Sequence, residues 1–362
     1  MKQLQGIGVF VLAALLILIT GCGSGHSASR SVAFSSAQSD QAKVMTFNIR
    51  TRTILDGLNH WNHRKGFVKD TIAGNGADIV GLQEVRNSQL NYIKSGLPQY
   101  AAYAVGRSDG YRGGESCPVL YRKDRFTLID SGTFWFSDTP SVAGSKGWGN
   151  LPPRICSWVH LAETNTGKGL YVYNLHLDNL SQNSRAKSVE LLTHKIAVRK
   201  TSDPFVVMGD FNMEAQNPAM RWLNKIGIGK PRLASVDAWQ SIHPNRSIGT
   251  RHGFNGGVSG PQIDHIRLSS NLQALDARID THSWNGRYPS DHFLSLQTSG
   301  SPASATTAAP PSPHRFRTPT ADAPQPHWAR SRVGFKKPRG ASPASSIGDL
   351  RNDAPIIAIL KH

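Results

Sequence analysis

The stretch Pro204-Phe-Val-Val-Met-Gly-Asp-Phe-Asn212 constrains this chain more than any other segment. Its run of apolar and β-branched residues reads as a strand shielded from water on both faces. Gly209 lets backbones approach closely, and Asp210 and Asn212, two positions apart in extended chain, fall on the same side. A carboxylate and an amide are thereby delivered together at a sheet edge, where such a pair can hold a metal and a water. The same residue types also end ordinary strands as turn formers, so the segment alone leaves both readings open.

Further segments end strand-like runs with polar chemistry in the same way. They are Met45-Thr-Phe-Asn48, Val80-Gly-Leu-Gln-Glu84, Tyr173-Asn-Leu-His176-Leu-Asp178 and Ser290-Asp291-His292, with Ile263-Asp264-His265-Ile266 between the last two. As an ordered set, running from about Lys43 to Leu296, they resemble the endonuclease/exonuclease/phosphatase family. That group includes pancreatic deoxyribonuclease, exonuclease III-type repair nucleases, neutral sphingomyelinases, inositol polyphosphate 5-phosphatases and deadenylases. The resemblance implies a four-layered α/β sandwich: two mixed β-sheets packed face to face, helices outside, and the site at one edge where the strand ends converge.

It also implies a division of labour. Phosphodiester hydrolysis needs positive charge at the non-bridging oxygens, an in-line water and a stabilised leaving oxygen. Glu84 is then the direct metal ligand, assisted by Asn48 and Asp291, and oxygen donors of this kind favour Mg²⁺, with Mn²⁺ as the alternative. Asp210 would orient or deprotonate the water and Asn212 would hydrogen-bond the water or the phosphate. His292 would contact the phosphate, with Asp264 fixing its tautomer. His176 would be a second phosphate-facing histidine with Glu115 as its carboxylate partner, and Arg154 a donor to the transition-state oxyanion. For Asp178 and His252 a structural reading stands level with a functional one. A narrower likeness, to a bacterial branch of the family, rests on Gly106-Arg-Ser-Asp-Gly110, Gly132-Thr-Phe-Trp-Phe-Ser-Asp-Thr-Pro140 and Gly144-Ser-Lys-Gly-Trp148. The chain departs from that branch at Gly149, where Asp is usual, and at Asn179, where His is usual.

Strand signals at 43–48, 78–83, 101–105, 117–122, 126–136, 155–162, 170–176, 205–209, 262–268 and 293–297 alternate with a few helical stretches, which excludes an all-helical fold. Val189, Leu192 and Ile196 mark a helix over 184–199, and a second is expected over 64–73. Cys117 and Cys156 sit in neighbouring strand-like runs, either as free thiols or as a disulfide. No Cys-x-x-Cys spacing supports a zinc ribbon or thioredoxin chemistry.

Both ends read differently from this body. An apolar run from Ile7 to Ile19, after Lys2 and before Thr20-Gly21-Cys22, is too short to span a bilayer comfortably but suits a signal peptide. Ile-Thr-Gly-Cys resembles the bacterial lipoprotein cleavage box. We therefore expect residues 1–21 to be removed, Cys22 to be lipid-modified and 22–40 to form a flexible tether. From Ser301 onward nine Lys/Arg face three Asp/Glu, with ten of the 21 prolines, so 299–362 is expected to be a disordered basic tail outside the 41–298 domain. The net charge of +17 is partly the tail's, but the body stays basic without it, which suits a phosphate-bearing or polyanionic ligand, nucleic acid included. The expectation is an exported phosphoesterase, lipid-anchored to a bacterial envelope membrane, with no obligate protein partner. Its rival is a surface lipoprotein that uses the same fold only to bind.

Overall fold

The computed structural model describes residues 41–224 and 234–300. In chain order its strands are β1 (Gln41–Asn48), β2 (Ile79–Gln83), β3 (Val85–Arg86), β4 (Tyr100–Tyr103), β5 (Glu115–Ser116), β6 (Val119–Arg122) and β7 (Phe126–Trp135), followed by β8 (Ile155–Glu163), β9 (Gly169–His176), β10 (Phe205–Asp210), β11 (Ser235–Asp237), β12 (Asp264–Ser269), β13 (Gln273–Asp280) and β14 (Leu294–Gly300). One six-stranded sheet has the order β13-β14-β1-β2-β6-β4 and the other β11-β12-β10-β9-β8-β7, while β3 and β5 form a small ribbon. Both sheets are mixed. β1 is parallel to β2 and antiparallel to β14, and β10 is parallel to β9 and antiparallel to β12.

Alternate residues of the central strands face a shared core, because side chains in a strand point to opposite faces in turn. Val44, Ile79 and Val119 of the first sheet meet Val172, Val206 and Met208 of the second. Gly81 sits where the sheets come closest: a Cβ there would lie 2.6 Å from Met208 Cε and 2.9 Å from the Asn174 side chain. Beside it, Gln83 Nε2 donates to Asn174 Oδ1 at 2.6 Å, and Asn174 Nδ2 donates to the carbonyls of Leu82 and Pro118 at 2.8 Å each. This polar link satisfies the Asn174 amide and the Gln83 amino group, while Gln83 Oε1 is buried without a hydrogen-bond partner.

Helix α1 (Trp61–Asn75) covers the outer face of the first sheet and ends at Gly76, whose φ of 56° is the left-handed conformation glycine takes without strain. After the short α2 (Asn87–Gly96), helix α3 (Gln182–Ala197) covers the second sheet. Ser181 accepts from Ser184 N to cap α3, and the helix buries Val189, Leu192 and Ile196 while leaving Lys187 and Glu190 in water. Each of those three apolar side chains contributes about 1.5–3 kcal/mol through burial.

Most expected elements are present with boundaries moved by a residue or two; the first helix is longer than expected, 61–75, and the second, 182–197, has the expected length but begins and ends two residues earlier. The short β3, β5 and β11, together with β13 and α2, were not foreseen. β13, Gln-Ala-Leu-Asp-Ala-Arg-Ile-Asp, mixes charge with short apolar residues and lies at a sheet edge, so it lacks a buried strand's hydrophobic run. Cys117 and Cys156 are both free and buried. Strand β14 runs through Ser299 and Gly300, which pair with Ala42 and Gln41, so the folded body extends two residues beyond the expected boundary at 298. The expected signal peptide, tether, Cys22 and the tail from Ser301 lie outside the described residues.

Candidate active site

Strand register brings the polar residues together. Asp210, last in β10, pairs with His176 at the end of β9 and with Asp264 at the start of β12. Asn48 ends β1 opposite Gln83, so Glu84 follows immediately beyond the same edge. Asp291 and His292 immediately precede Phe293 and β14. Two local conformations aim the side chains. Glu84 and Asn212 adopt φ of 61° and 50°. For Glu84, a non-glycine residue, this costs roughly 1–3 kcal/mol and is held only because surrounding contacts enforce it. Gly209, at φ 145°, could not carry a side chain, since a Cβ would meet Leu175 O at 2.0 Å.

Asn48 Nδ2 donates to Glu84 Oε1 at 3.1 Å and to Asp210 Oδ2 at 3.0 Å, so one amide bridges the two carboxylates. Thr51 N donates to Glu84 Oε2 at 2.8 Å. Asp210 Oδ1 accepts from Asn212 N at 2.9 Å, and Asn212 Nδ2 is held by Leu177 O at 3.0 Å. Asp210 Oδ2 lies 3.5 Å from His176 Nε2 and 4.0 Å from His292 Nε2. His292 Nδ1 is 2.8 Å from Asp264 Oδ2, while Asp264 Oδ1 is buried with no hydrogen-bond partner. Donor atoms of Asp210, Asp264 and His292 all lie within 4.8 Å of one another, a buried cluster that can take a metal. Asp291 lies beside it, 3.9 Å from Arg50 Nη1.

Burial splits the protonation states. It pushes Asp210 up to about 7, aided by the negative charge of Asp264 and opposed by His292 and the Asn212 and Asn48 hydrogen bonds. For His292 burial opposes the charge, but the charge and hydrogen bond of Asp264, joined by Asp210 and Asp291, outweigh it and raise the imidazole to about 10. His176 has no such partner. Burial, then Arg154 and Arg107, hold it well below the usual histidine range. The site therefore presents one charged and one neutral imidazole to the same oxygen of Asp210, Oδ2.

The expected pairing of Glu115 with His176 is not formed. Arg107 N donates to Glu115 O at 2.8 Å, which folds the 106–114 loop back on β5 and brings Arg107 Nη1 to 2.8 Å from the Glu115 carboxylate. The carboxylate within 4 Å of His176 is instead Asp210. Glu115 still lines the cleft with Glu84, Arg107, Cys117, Arg154 and His176. Arg154 lines the same cleft, its Nε 3.3 Å from Asp178 Oδ2 and an Nη 2.8 Å from Asn179 Oδ1. Asp178 also accepts from Leu180 N and Ser181 N, so it is a turn former and an arginine anchor at once. Both departures from the narrower pattern thus have a structural setting: Asn179 holds Arg154, and Gly149 takes φ 95° against Ser181. His252 packs beside the site, its Nδ1 accepting from Gly256 N at 3.1 Å and its Nε2 buried without a hydrogen-bond partner. Its ring stacks on Phe293 at 4.0 Å, and its backbone N–H donates to Asp291 O at 2.9 Å.

Three arginines were missed as site components. Arg50 joins Asp56 and Asp291, Arg107 holds Glu115, and buried Arg64 donates to the carbonyls of Ile49, Arg50, Asn59 and Pro289. Arg107 carried a signal, since it lies in the Gly106–Gly110 segment. Nothing local marked Arg64, whose partners are separated from it by up to 225 positions.

Residues 45–292 match the model of the Endonuclease/Exonuclease/phosphatase family, and the chain belongs to that family. Among solved structures, an endonuclease/exonuclease/phosphatase from Bacteroides vulgatus superposes with a TM-score of 0.66 at 31% identity, covering 72% of this chain and 99% of that one. A mannosyl-6-phosphatase from Bacteroides thetaiotaomicron gives 0.64 at 29% identity, covering 71% and 98%. Nocturnin of Drosophila melanogaster is 23% identical over 255 residues, 63% of this chain, and the chain spans 38% of that protein's length. The family fold together with the buried Asp210, Asp264 and His292 cluster supports metal-dependent phosphoester hydrolysis.

Proposed function

We propose that this chain hydrolyses a small phosphoester by attack of a water activated at Asp210, with Mg²⁺ or Mn²⁺ held by Glu84, Asp291 and the oxygen of Asn48. The observation that carries the reading is the position of Asp210, within 3.0 Å of Asn48 and within 4.0 Å of both histidines. The donor set fits a hard cation. Glu84 and Asp210 converge on the Asn48 amino group, so carboxylate oxygens and an amide gather at one strand edge with no lysine or arginine bonded to either carboxylate among the described residues. Cys117, the one thiol lining the cleft among the described residues, is pushed up to about 12 by burial and stays a poor ligand. When bound, a divalent ion neutralises phosphoryl oxygen charge and acidifies water.

The protein's own groups do the rest. Asp210, near neutrality in proton affinity, accepts the water's proton. Asn212 fixes the strand-end turn that aims Asp210, through its N–H to Oδ1. His292, cationic through Asp264, donates to a phosphoryl oxygen, and neutral His176, its Nε2 3.5 Å from Asp210 Oδ2, orients Asp210. Arg154 and Arg107 add fixed positive charge at the cleft wall. A small phosphoester is favoured over nucleic acid by the mannosyl-6-phosphatase likeness and by the narrow cleft between Glu84, Glu115 and Arg154. Purified protein with each metal should be offered sugar 6-phosphates, inositol phosphates, sphingomyelin, a chromogenic phosphodiester, RNA and plasmid DNA. Turnover confined to the nucleic acids overturns the small-substrate reading, and no turnover with any metal favours the binding-only rival.

Ile19-Thr-Gly-Cys22 supports export and acylation at Cys22. Metabolic labelling with palmitate tests it: an unlabelled wild-type protein, or a labelled Cys22→Ala protein, removes the anchor.

A further inference from the structure

The outer face of the second sheet carries a cavity that the catalytic residues leave unused. It holds about 320 Å³, within the range of small-molecule sites, and its wall includes Trp158, Tyr171, Tyr173, Lys195, Arg199 and Lys200. Side chains alternate along a strand, so Tyr171 and Tyr173 face away from Asn174 and His176 of the same β9. The cavity therefore lies on the other side of the sheet from the catalytic cleft.

The wall is built around its aromatic residues. Gly132 pairs with Trp158 across β7 and β8, and a Cβ there would lie 2.8 Å from the indole Nε1, so the missing side chain makes room for the ring. His160 stacks on Tyr171 with ring centroids 4.0 Å apart, and Tyr173 follows at 6.2 Å. Both tyrosines are buried, so their faces are already covered and only their polar edges are on offer. The Trp158 N–H and the Tyr171 and Tyr173 hydroxyls have no hydrogen-bond partner among the described residues, and none of the three is sealed from solvent.

The charge at this wall is one-sided. No carboxylate lines the cavity among the described residues. Arg199 is fixed by hydrogen bonds to the carbonyls of Ile196 and Asp203 and lies over the rings of Tyr171 and Phe205, 5.9 and 5.3 Å from their centroids. Lys195 Nζ is 5.8 Å from the Phe134 centroid and has no carboxylate partner among the described residues. Lys200 alone of the three is paired, with Asp130 at 2.7 Å.

We infer that this cavity binds an anionic saccharide, separately from the catalytic cleft. Sugar hydroxyls meet the unpartnered indole N–H and tyrosine hydroxyls, and the sugar's carboxylate or phosphate meets Lys195 in the field of Arg199. A nucleobase would need a free aromatic face to stack on, and the buried tyrosine rings present none. Binding there needs neither a metal nor turnover.

Isothermal titration calorimetry of the full chain in chelator tests this, with glucuronic acid, glucose 6-phosphate, glucose and inorganic phosphate as titrants. At least one of the two anionic sugars should bind, the one that does naming the anion, and glucose and inorganic phosphate should bind about tenfold more weakly or less. Lys195→Gln should weaken the anionic sugar about tenfold, and Trp158→Phe, which keeps a ring but loses the N–H, about threefold. If Trp158→Phe melts early, Lys195→Gln at its half-buried helix position decides. With metal restored, Lys195→Gln should turn over a chromogenic phosphodiester as the wild type does. No binding of either anionic sugar at millimolar concentration, or binding that Lys195→Gln leaves unchanged, overturns the proposal. So does inorganic phosphate binding as tightly as glucose 6-phosphate, which leaves an anion hole only. Oligothymidylate binding that Lys195→Gln weakens, with neither sugar bound, assigns the cavity to nucleic acid instead, and a parallel loss of turnover in that variant makes it part of the cleft.

Discussion

Asp210 and its two histidines differ in what each can lose. Asp210→Asn keeps the size and the hydrogen-bonding shape of the side chain but cannot accept a proton, so turnover should fall about 10²–10⁴-fold at every pH. In the wild type, the proton affinity of Asp210 near 7 means that the base is lost as pH falls, and turnover should decline below about that value. A pH profile that stays flat well into the acid range would exclude Asp210 as the base. His292→Ala removes a fixed positive charge held by Asp264 and should cost roughly 10²-fold or more. His176→Ala removes a neutral ring and should cost less on a substrate with a good leaving group. Equal losses on all substrates would mean that the two rings are not divided by charge. Much of this was legible in the sequence, because strand-end residues two apart, or in adjacent short motifs, meet through register alone. The Glu115 assignment failed for the complementary reason: its partner is set by a loop folding back, and a loop's path is not written in periodicity.

Elements beyond the cleft hold it in place through one buried ion pair. His265 Nδ1 on β12 lies 2.9 Å from Asp237 Oδ2 at the end of β11, and its Nε2 is 3.1 Å from Met213 O, so both ring nitrogens face acceptors. That arrangement needs the imidazolium. Burial works against both charges, but their hydrogen bond outweighs it, raising His265 and lowering Asp237. The raised histidine adds stability that is complete below about pH 6.5 and is lost as pH rises through its folded value. The lowered aspartate adds stability present above about pH 4 and lost as pH falls through its folded value. Asp237→Asn leaves a buried cation unpaired and should cost about 3–5 kcal/mol. Denaturant melts of both proteins should differ most between these limits and converge above them, and a pH-independent difference would mean that packing alone is lost. Neither partner stood out in the sequence. His265 lies inside a motif and Asp237 28 positions away, and only the antiparallel pairing of β11 with β12 brings them together.

At the scale of the molecule, the cleft straddles the two sheets, so closure of the sandwich and assembly of the site are one event. Asn48 and Glu84 come from the β1 and β2 side, while His176, Asp210 and Asp264 come from the β9, β10 and β12 side. Gly81 sets how near the sheets approach. Gly81→Val would push into Met208 and the Asn174 amide, and overpacking of this kind should cost about 1–3 kcal/mol and lower the affinity for metal with it. The same geometry predicts a thermal signature for the cation. An ion held by Glu84 and its neighbours binds the folded state alone, so Mg²⁺ at a hundred times its Kd should add about 2.7 kcal/mol and raise the Tm by several degrees. Glu84→Gln removes one charge from the ligand set and should move this rise to higher metal concentration. Differential scanning fluorimetry across a Mg²⁺ series, with chelator as the reference and Mn²⁺ in parallel, measures both without any substrate. If the wild type melts at one temperature throughout, the oxygen cluster is not a cation site, whatever the activity assays find. If the rise survives unchanged in Glu84→Gln, the ion is held instead by Asp210, Asp264 and His292, and charged His292 must give up its proton to bind it.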